Sequence, residues 1–283
     1  MKYKQFEQEF SKYVKSKYAV SCNSGTSALH LALLAFNVKK GDEVIVPDFT
    51  MSACAFAVSY TGAKPVFVDC DDTLNMDTTL IEKAITKRTK AIMAVHIYGR
   101  LCNMKEIMRI ARKHKLKVVE DASEAHGAVF NSKADITCFS LFRNKIIHAD
   151  EGGICTTNNK KYEYTMNYYK NMTFGKKHDY FHKHIGYNYR FSDIQAEVAL
   201  KSLHDVDKEL KRRRDAETKY NKLIKNPLPK RDVVWVYDYI GKPIKGYETR
   251  PFFKPLSSFP MYGGKCKSPK ALHYSKIGNL IKI

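Results

Sequence analysis

The chain has 283 residues, 44% of them hydrophobic and 28% charged, with a formal charge of +20. That length and balance describe a globular protein of one large domain, or one large and one small, and exclude a membrane-spanning chain, because no apolar run nears the roughly 20 residues a bilayer crossing needs. The excess lysine favours anionic partners in general, but it is spread along the chain, as in Lys39-Lys40, Lys87-Arg88 and Lys176-Lys177, and reads first as a solvated surface.

The opening run, residues 1–7, is charged and amphipathic and lacks the roughly 7–15 apolar residues of a secretory signal, so the expected location is the cytoplasm. From about residue 17 to 157 short β-branched runs alternate with segments of helical period, the pattern of βαβ units on a mainly parallel sheet. Strands are predicted at 18–21, 43–46, 65–68, 91–95, 117–120, 136–140 and 153–156, and helices at 26–36, 52–60, 77–85 and 103–114. Asp77 and Asn103 are suited to N-caps, and Gly41 and Gly62 to helix ends, where a positive φ comes most easily to glycine.

Beyond residue 158 a tyrosine-rich helix is predicted over 160–171, then a loop rich in His and Lys, then one long helix from 192 to about 224. Ile194, Val198, Leu203, Val206 and Leu210 would form its buried stripe. From Pro227 onward there is a strand-like run at 233–239, several prolines and glycines and little helical signal, which suggests a reduced second domain. The expected division is a large α/β domain over 1–190 and a smaller unit over 191–283. The seven cysteines are scattered without the close spacing of a zinc or redox motif, so no metal is expected and they read as buried thiols.

Three segments carry residues suited to chemistry. Asn23-Ser24-Gly25-Thr26-Ser27 is a small-residue turn between a strand and a helix, where backbone N–H groups and the Thr26 and Ser27 hydroxyls could seat a phosphate, or simply cap the helix. In Val118-Val119-Glu120-Asp121-Ala122-Ser123-Glu124 a strand ends in carboxylates, at the edge of an open α/β sheet where ligands bind, although capping the next helix is the plainer role. His126 reads as a hydrogen-bonded structural histidine. The third segment, from Phe139-Ser140 through Asn144-Lys145 and His148 to Gly152-Gly153, places one lysine in a loop after a strand; a nucleophilic lysine needs partial desolvation and a neighbouring charge to be neutral part of the time.

Taken in order with Gly41-Asp42-Glu43-Val44-Ile45-Val46-Pro47, Val95-His96-Ile97-Tyr98-Gly99, Gly186-Tyr187-Asn188-Tyr189-Arg190 and Thr249-Arg250-Pro251-Phe252-Phe253, these segments resemble the DegT/DnrJ/EryC1/StrS sugar aminotransferases over most of the chain. Within that family the Asn144-Lys145 segment and Cys102-Asn103-Met104 look most like perosamine synthases, which aminate C4 of a GDP-linked 4-keto-6-deoxy sugar. The resemblance implies fold type I of the pyridoxal 5′-phosphate (PLP) enzymes: a seven-stranded, mainly parallel sheet flanked by helices, with a C-terminal α+β domain that is reduced here.

It also implies roles. Lys145 would be the Schiff-base lysine and proton carrier, and Asp121 the partner of the pyridine nitrogen. Gly25, Thr26, Ser27 and Ser140 would hold the phosphate, and Glu124 would lie by the phenolic oxygen. Asn188 would reach the cofactor of a neighbouring subunit, which requires a homodimer with shared sites. His148 and Arg250 would face substrate. Glutamate would donate the amine and a nucleotide-linked keto sugar accept it. Against the family pattern, Met51 stands where an aromatic ring commonly stacks on PLP, Asp150 replaces a glycine, the loop between Gly127 and Ile136 is short, and little chain separates Trp235 from Glu248. These shortenings leave open a second reading, a PLP-type scaffold or regulatory protein without activity; Lys145 and Asp121 together argue for chemistry. A nucleic-acid role would rest on charge alone, with no reading motif to support it.

Overall fold

In the computed structural model, residues 1–131, 133–175 and 180–283 are described. The Lys176-Lys177 pair falls outside them. A first helix, α1 (Lys2–Tyr13), leads into β1 (Tyr18–Cys22), α2 (Gly25–Ala35), β2 (Glu43–Pro47), α3 (Ala53–Tyr60), β3 (Lys64–Val68), α4 (Thr78–Ala84), β4 (Thr89–Val95), α5 (Met104–Lys113), β5 (Lys117–Asp121), β6 (Ile136–Ser140) and β7 (Gly153–Thr157). The seven strands form one sheet in the order β1-β7-β6-β5-β4-β2-β3. All run parallel except β7, which is antiparallel to both β6 and β1. The mainly parallel α/β fold expected from alternation is therefore present, and each predicted strand lies within two residues of its observed bounds.

Both faces of the sheet are covered, which is why its strands read as nearly continuous apolar runs. Phe6 and Phe10 of α1, Leu29 to Leu33 of α2, and Val119 and Cys138 of the sheet share one core; Ile81, Ile107 and Ile110 pack with Ile45, Ile92 and Val118 on the other face. Helix α2 is buried nearly all round, so its apolar residues show no single stripe. Asp77 and Asn103 cap α4 and α5 through side-chain oxygens, and Ser24 caps α2. Gly62 and Gly41 both take a positive φ as expected, the first directly after α3; α2 ends at Ala35, well before Gly41, and Asn37 takes the left-handed position there.

The second part departs from expectation in three places. After α6 (Lys160–Lys170), the single long helix is two, α7 (Asp193–His204) and α8 (Val206–Leu223), broken at Asp205. The buried stripe of α7 is Ala196, Ala199, Leu200 and Leu203, while Ile194 is 81% exposed and Val198 is exposed too. The alanines supply the i, i+3, i+4, i+7 face because α1 packs close, with Tyr3 N–H bonded to Asp193 and His204 to Glu9. The strand-like run at 233–239 becomes a strand only as β8 (Tyr237–Ile240), and an unpredicted helix, α9 (Pro269–Ile277), follows β9 (Thr249–Pro251). The first N–H groups of α9 are capped from across the molecule: Asp69 accepts from Lys270 and Ala271 at 3.0 and 2.9 Å. A small antiparallel sheet, β8-β10-β9, closes with β10 (Gly278–Ile281).

A buried ion cluster joins this C-terminal part to the main sheet. Asp238, fully buried on β8, receives Arg100 at 2.6 Å and Arg231 at 2.5 Å, and Arg231 also meets Glu217 of α8 at 2.8 Å. Arg100 follows Gly99, whose carbonyl accepts the N–H groups of Asp232 and Val233. A Cβ on Gly99 would lie 1.9 Å from the Val233 oxygen, so only glycine permits this approach.

Candidate active site

Strands β1, β2, β4, β5 and β6 point their carboxyl ends to one edge of the sheet, and antiparallel β7 begins there, so the loops from six strands meet at that edge. The pleat decides which of two adjacent carboxylates on β5 enters the site. Glu120 shares a face with Val118 and accepts from Thr137 at 2.8 Å; Asp121 shares a face with Val119, toward α2. Behind the site, His96 Nδ1 accepts the Cys102 N–H at 3.0 Å, which leaves the ring proton on Nε2 to donate to Glu120 at 3.0 Å.

Asp121 is buried, and one oxygen accepts the Ser123 N–H at 3.0 Å. The other receives only a thiol among the described residues, Cys54 Sγ at 3.4 Å, so the carboxylate faces the site without a cationic hydrogen-bond partner. Glu124 is buried as well: one oxygen accepts the Tyr98 N–H at 2.8 Å, and the other lies 4.0 Å from Lys145 Nζ. Tyr98 holds φ 51°, a left-handed conformation rare for a bulky residue, and its hydroxyl accepts the Phe253 N–H, so a strained turn aims this donor.

Burial pushes the Lys145 amine down from the ordinary lysine value, against the pull of Glu124 and Asp121. Burial likewise pushes the Glu124 carboxyl up to about 7, against Lys145. Glu124 thus keeps its proton in the native state over a range in which the unfolded chain has lost it. Stability tied to Glu124 is complete below the ordinary 4.5 and is lost as pH rises through about 7. The Glu124→Gln variant, neutral throughout, should flatten the fall in melting temperature of the cofactor-free protein over that window. A pH dependence identical to wild type would remove Glu124 from this role.

The turn before α2 lies against the end of β6. Ser24 caps Ser27 N–H at 3.1 Å, Ser27 Oγ donates to Asn23 at 2.7 Å, and the first N–H groups of the helix lie free of intrahelical bonds. A Cβ on Gly25 would sit 2.8 Å from that of Ser140, so glycine brings the helix start against the Ser140 hydroxyl. Met51, 54% exposed, stands one turn before Cys54, whose N–H it accepts at 3.1 Å. Gly25, Thr26, Ser27, Met51, Asp121, Glu124, Ser140 and Lys145 thus converge on one edge.

Asn188 is placed differently. Its carbonyl receives the Asn23 amide at 3.5 Å in the same chain, and its residue surface is exposed. His148 and Arg250 line a cleft of about 1040 Å³ that opens on Lys145 from the α7–α8 side, with Arg143, Lys201, Lys208 and Arg212 on its walls. His126 is structural, as expected: Nδ1 accepts the Ile147 N–H at 3.1 Å. Among the described residues no group of three His, Cys, Asp or Glu is arranged for a metal ion. The sequence reading missed Cys54 beside Asp121, Tyr98 beside Glu124, and Arg213 and Trp235 beside Lys145. Local sequence held no signal for Cys54 or Arg213; Tyr98 lay in the Val95–Gly99 motif without a role of its own, and Trp235 stood out only as the sole tryptophan.

A profile of the DegT/DnrJ/EryC1/StrS aminotransferase family matches residues 1–233. The chain belongs to that family. It is 40% identical to GDP-perosamine synthase of Caulobacter vibrioides over 288 aligned positions, covering 91% of this chain and 78% of that one, and 38% identical to GDP-perosamine synthase of Escherichia coli O157:H7 over 92% and 78%. The solved structure of S. venezuelae DesV superposes with a TM-score of 0.90 at 30% identity, over all of this chain and 84% of DesV. The fold is that of the PLP-dependent sugar aminotransferases, and the cofactor is pyridoxal 5′-phosphate. The residues present fit it: a buried carboxylate lacking a cation suits a protonated ring nitrogen, a helix start opened by Gly25 suits a phosphate, and a desolvated amine suits a carbonyl carbon.

Proposed function

We propose that this aminotransferase moves an amino group from glutamate to the keto carbon of a nucleotide-diphosphate-linked 4-keto-6-deoxy sugar, a step in deoxyaminosugar and polysaccharide biosynthesis. The carrying observation is the Lys145 nitrogen lying at the foot of a cleft whose rim bears Arg143, Lys201, Lys208, Arg212 and Arg250, a cationic approach suited to a diphosphate. The two relatives named GDP-perosamine synthase favour a GDP-linked acceptor.

Bound PLP supplies an electrophilic carbon and a ring that draws electrons from it. The chain's own residues do the rest. Asp121 would hold a proton on the ring nitrogen, while Thr26, Ser27, Ser140 and the first N–H groups of α2 would bind the phosphate. Glu124 would serve the phenolic oxygen, and Met51 would pack on the ring. Lys145 Nζ takes the proton from the α-carbon of the amino acid and, in the second half of the cycle, delivers one to the sugar carbon that receives nitrogen. His148 and Arg250 face the sugar nucleotide. The division at about residue 190 then separates a cofactor-binding domain from a unit, 191–283, that walls the cleft.

Purified protein loaded with PLP should convert glutamate to 2-oxoglutarate once per site, and release an amino sugar when GDP-4-keto-6-deoxymannose is added. Release only with a dTDP- or UDP-linked acceptor would change the nucleotide; PLP binding without either half-reaction would favour the scaffold reading.

The working unit would be a two-fold homodimer in which Asn188 of each chain reaches the phosphate held by the other, consistent with its exposed position. Mixed Lys145→Ala and Asn188→Ala subunits should then regain activity, because in a heterodimer one site carries both defects and the other neither. Proven heterodimers that stay inactive would overturn the shared site. Seven free cysteines accord with a reducing compartment such as the cytoplasm, and no described helix is long and apolar enough to cross a membrane.

A further inference from the structure

The roles above leave out Trp235, yet its indole lies over the nitrogen on which they converge. Lys145 Nζ sits 3.7 Å from the ring centroid. The ring is fixed from both ends. Its Nε1–H donates to the Asn144 carbonyl at 2.9 Å, and it stacks on Tyr98 at 6.5 Å with the planes 28° apart. Arg213, itself buried, donates through Nη1 to the Trp235 carbonyl and through Nη2 to the Asn144 carbonyl at 3.5 Å, while Glu209 holds its Nε at 2.6 Å. One guanidinium therefore ties the residue before the lysine to the tryptophan. Trp235 lies two residues beyond the segment that the family profile matches.

An ammonium over an indole face is attracted by the ring's quadrupole, more strongly where water is excluded; a neutral amine gains little. We infer that Trp235 is a positioning residue whose indole face seats Lys145 in its free, protonated form. The charged groups that reach the same nitrogen are Glu124 and Asp121, which favour the ammonium, and Arg250 and Arg213, which oppose it. Burial opposes it most. The indole adds a contact that holds the nitrogen at a fixed place while it is free, between the two half-reactions, without adding a carboxylate that would keep it there as a permanent ion pair. The inference relies on Lys145 being the cofactor lysine only for its use in catalysis, since the seat belongs to the cofactor-free chain.

The test is made on cofactor-free protein. Competitive acetylation across a pH series, read by mass spectrometry on the Lys145 peptide, gives the midpoint at which that amine becomes reactive. Trp235→Leu should lower the midpoint by about one pH unit, and Trp235→Phe, which keeps a weaker π face, by less than half of that. A second measurement leaves Trp235 in place: emission from the sole tryptophan should titrate with the same midpoint, and the titration should vanish in Lys145→Met. Midpoints that agree in all three proteins, or an emission titration that survives Lys145→Met, would overturn the seat. Borohydride trapping of PLP on the same peptide tells the two failures apart, because trapping with an unmoved midpoint removes only the seat, and absence of trapping removes the cofactor role of Lys145.

Discussion

Lys145→Ala should lose transaminase turnover by about four orders of magnitude or more, and with it the borohydride-stable attachment of PLP. The size of the effect follows from two roles resting on one atom. Only an amine can join the cofactor's carbonyl carbon, and the charged neighbours of Lys145 are poor proton carriers: Arg213 and Arg250 are guanidiniums that stay charged, and nearby His126 is buried with its pKa pushed down to about 3 by burial and by Lys145 itself. The fold should survive. The lysine side chain lines an open cleft, is 11% exposed and belongs to none of the apolar cores. Truncation leaves Glu124 without its cationic neighbour, but that carboxyl is already inclined to the neutral form. The measurement is steady-state turnover with trapping of PLP and a thermal melt. Turnover within about a hundredfold of wild type in a folded protein would take Lys145 out of the mechanism.

Asp238→Ala should cost about 3–5 kcal/mol of stability, because it leaves two buried guanidiniums without their shared carboxylate. Among the described residues Arg100 would keep only the Pro229 carbonyl at 2.9 Å, and Arg231 would keep Glu217 at 2.8 Å together with the carbonyl of residue 238. Neither arginine reaches water, so the loss is that of an uncompensated buried charge and much larger than that of a surface pair. At about 2–4 °C per kcal/mol for chains of this order of size, the melting temperature should fall by roughly 10 °C. A functional effect should accompany it. Asp238 anchors the segment that carries Trp235 and β8 to Arg100, beside the Gly99 turn that follows Tyr98, so loosening it should weaken PLP retention before the main sheet melts. Urea unfolding, read by far-ultraviolet circular dichroism and by Trp235 emission, separates the two events. A stability loss below about 1 kcal/mol would show that the cluster is not the tie between the two parts.

The order of strands and helices up to residue 157 was legible because both strand and helix signals there are local. Buried parallel strands must be apolar on both faces, and Asp77, Asn103 and Ser24 cap helices from within their own turns. The residues proposed to hold the cofactor were singled out through motifs, since a phosphate turn, a strand-end carboxylate and a loop lysine each recur as short runs with their own spacing. The break at Asp205 was not, because the apolar residues of α7 and α8 follow one another at helical spacing across it, and only packing against α1 selects Ala196, Ala199 and Leu200 over Ile194 and Val198. Helix α9 was hidden for a related reason: its cap is Asp69, some 200 residues away.

Sequence alone therefore determined what each strand end carries: Asp121, Glu124, Ser140 and Lys145 at one edge of a parallel sheet, because chain direction and the two-residue pleat place them there. Tertiary structure decided what surrounds them. Cys54 meets Asp121, Tyr98 aims its N–H at Glu124, and Trp235 covers Lys145 through contacts between segments 26 to 90 residues apart, which no local pattern records. Burial by those distant segments, more than the motif itself, lowers the lysine's proton affinity and raises that of Glu124.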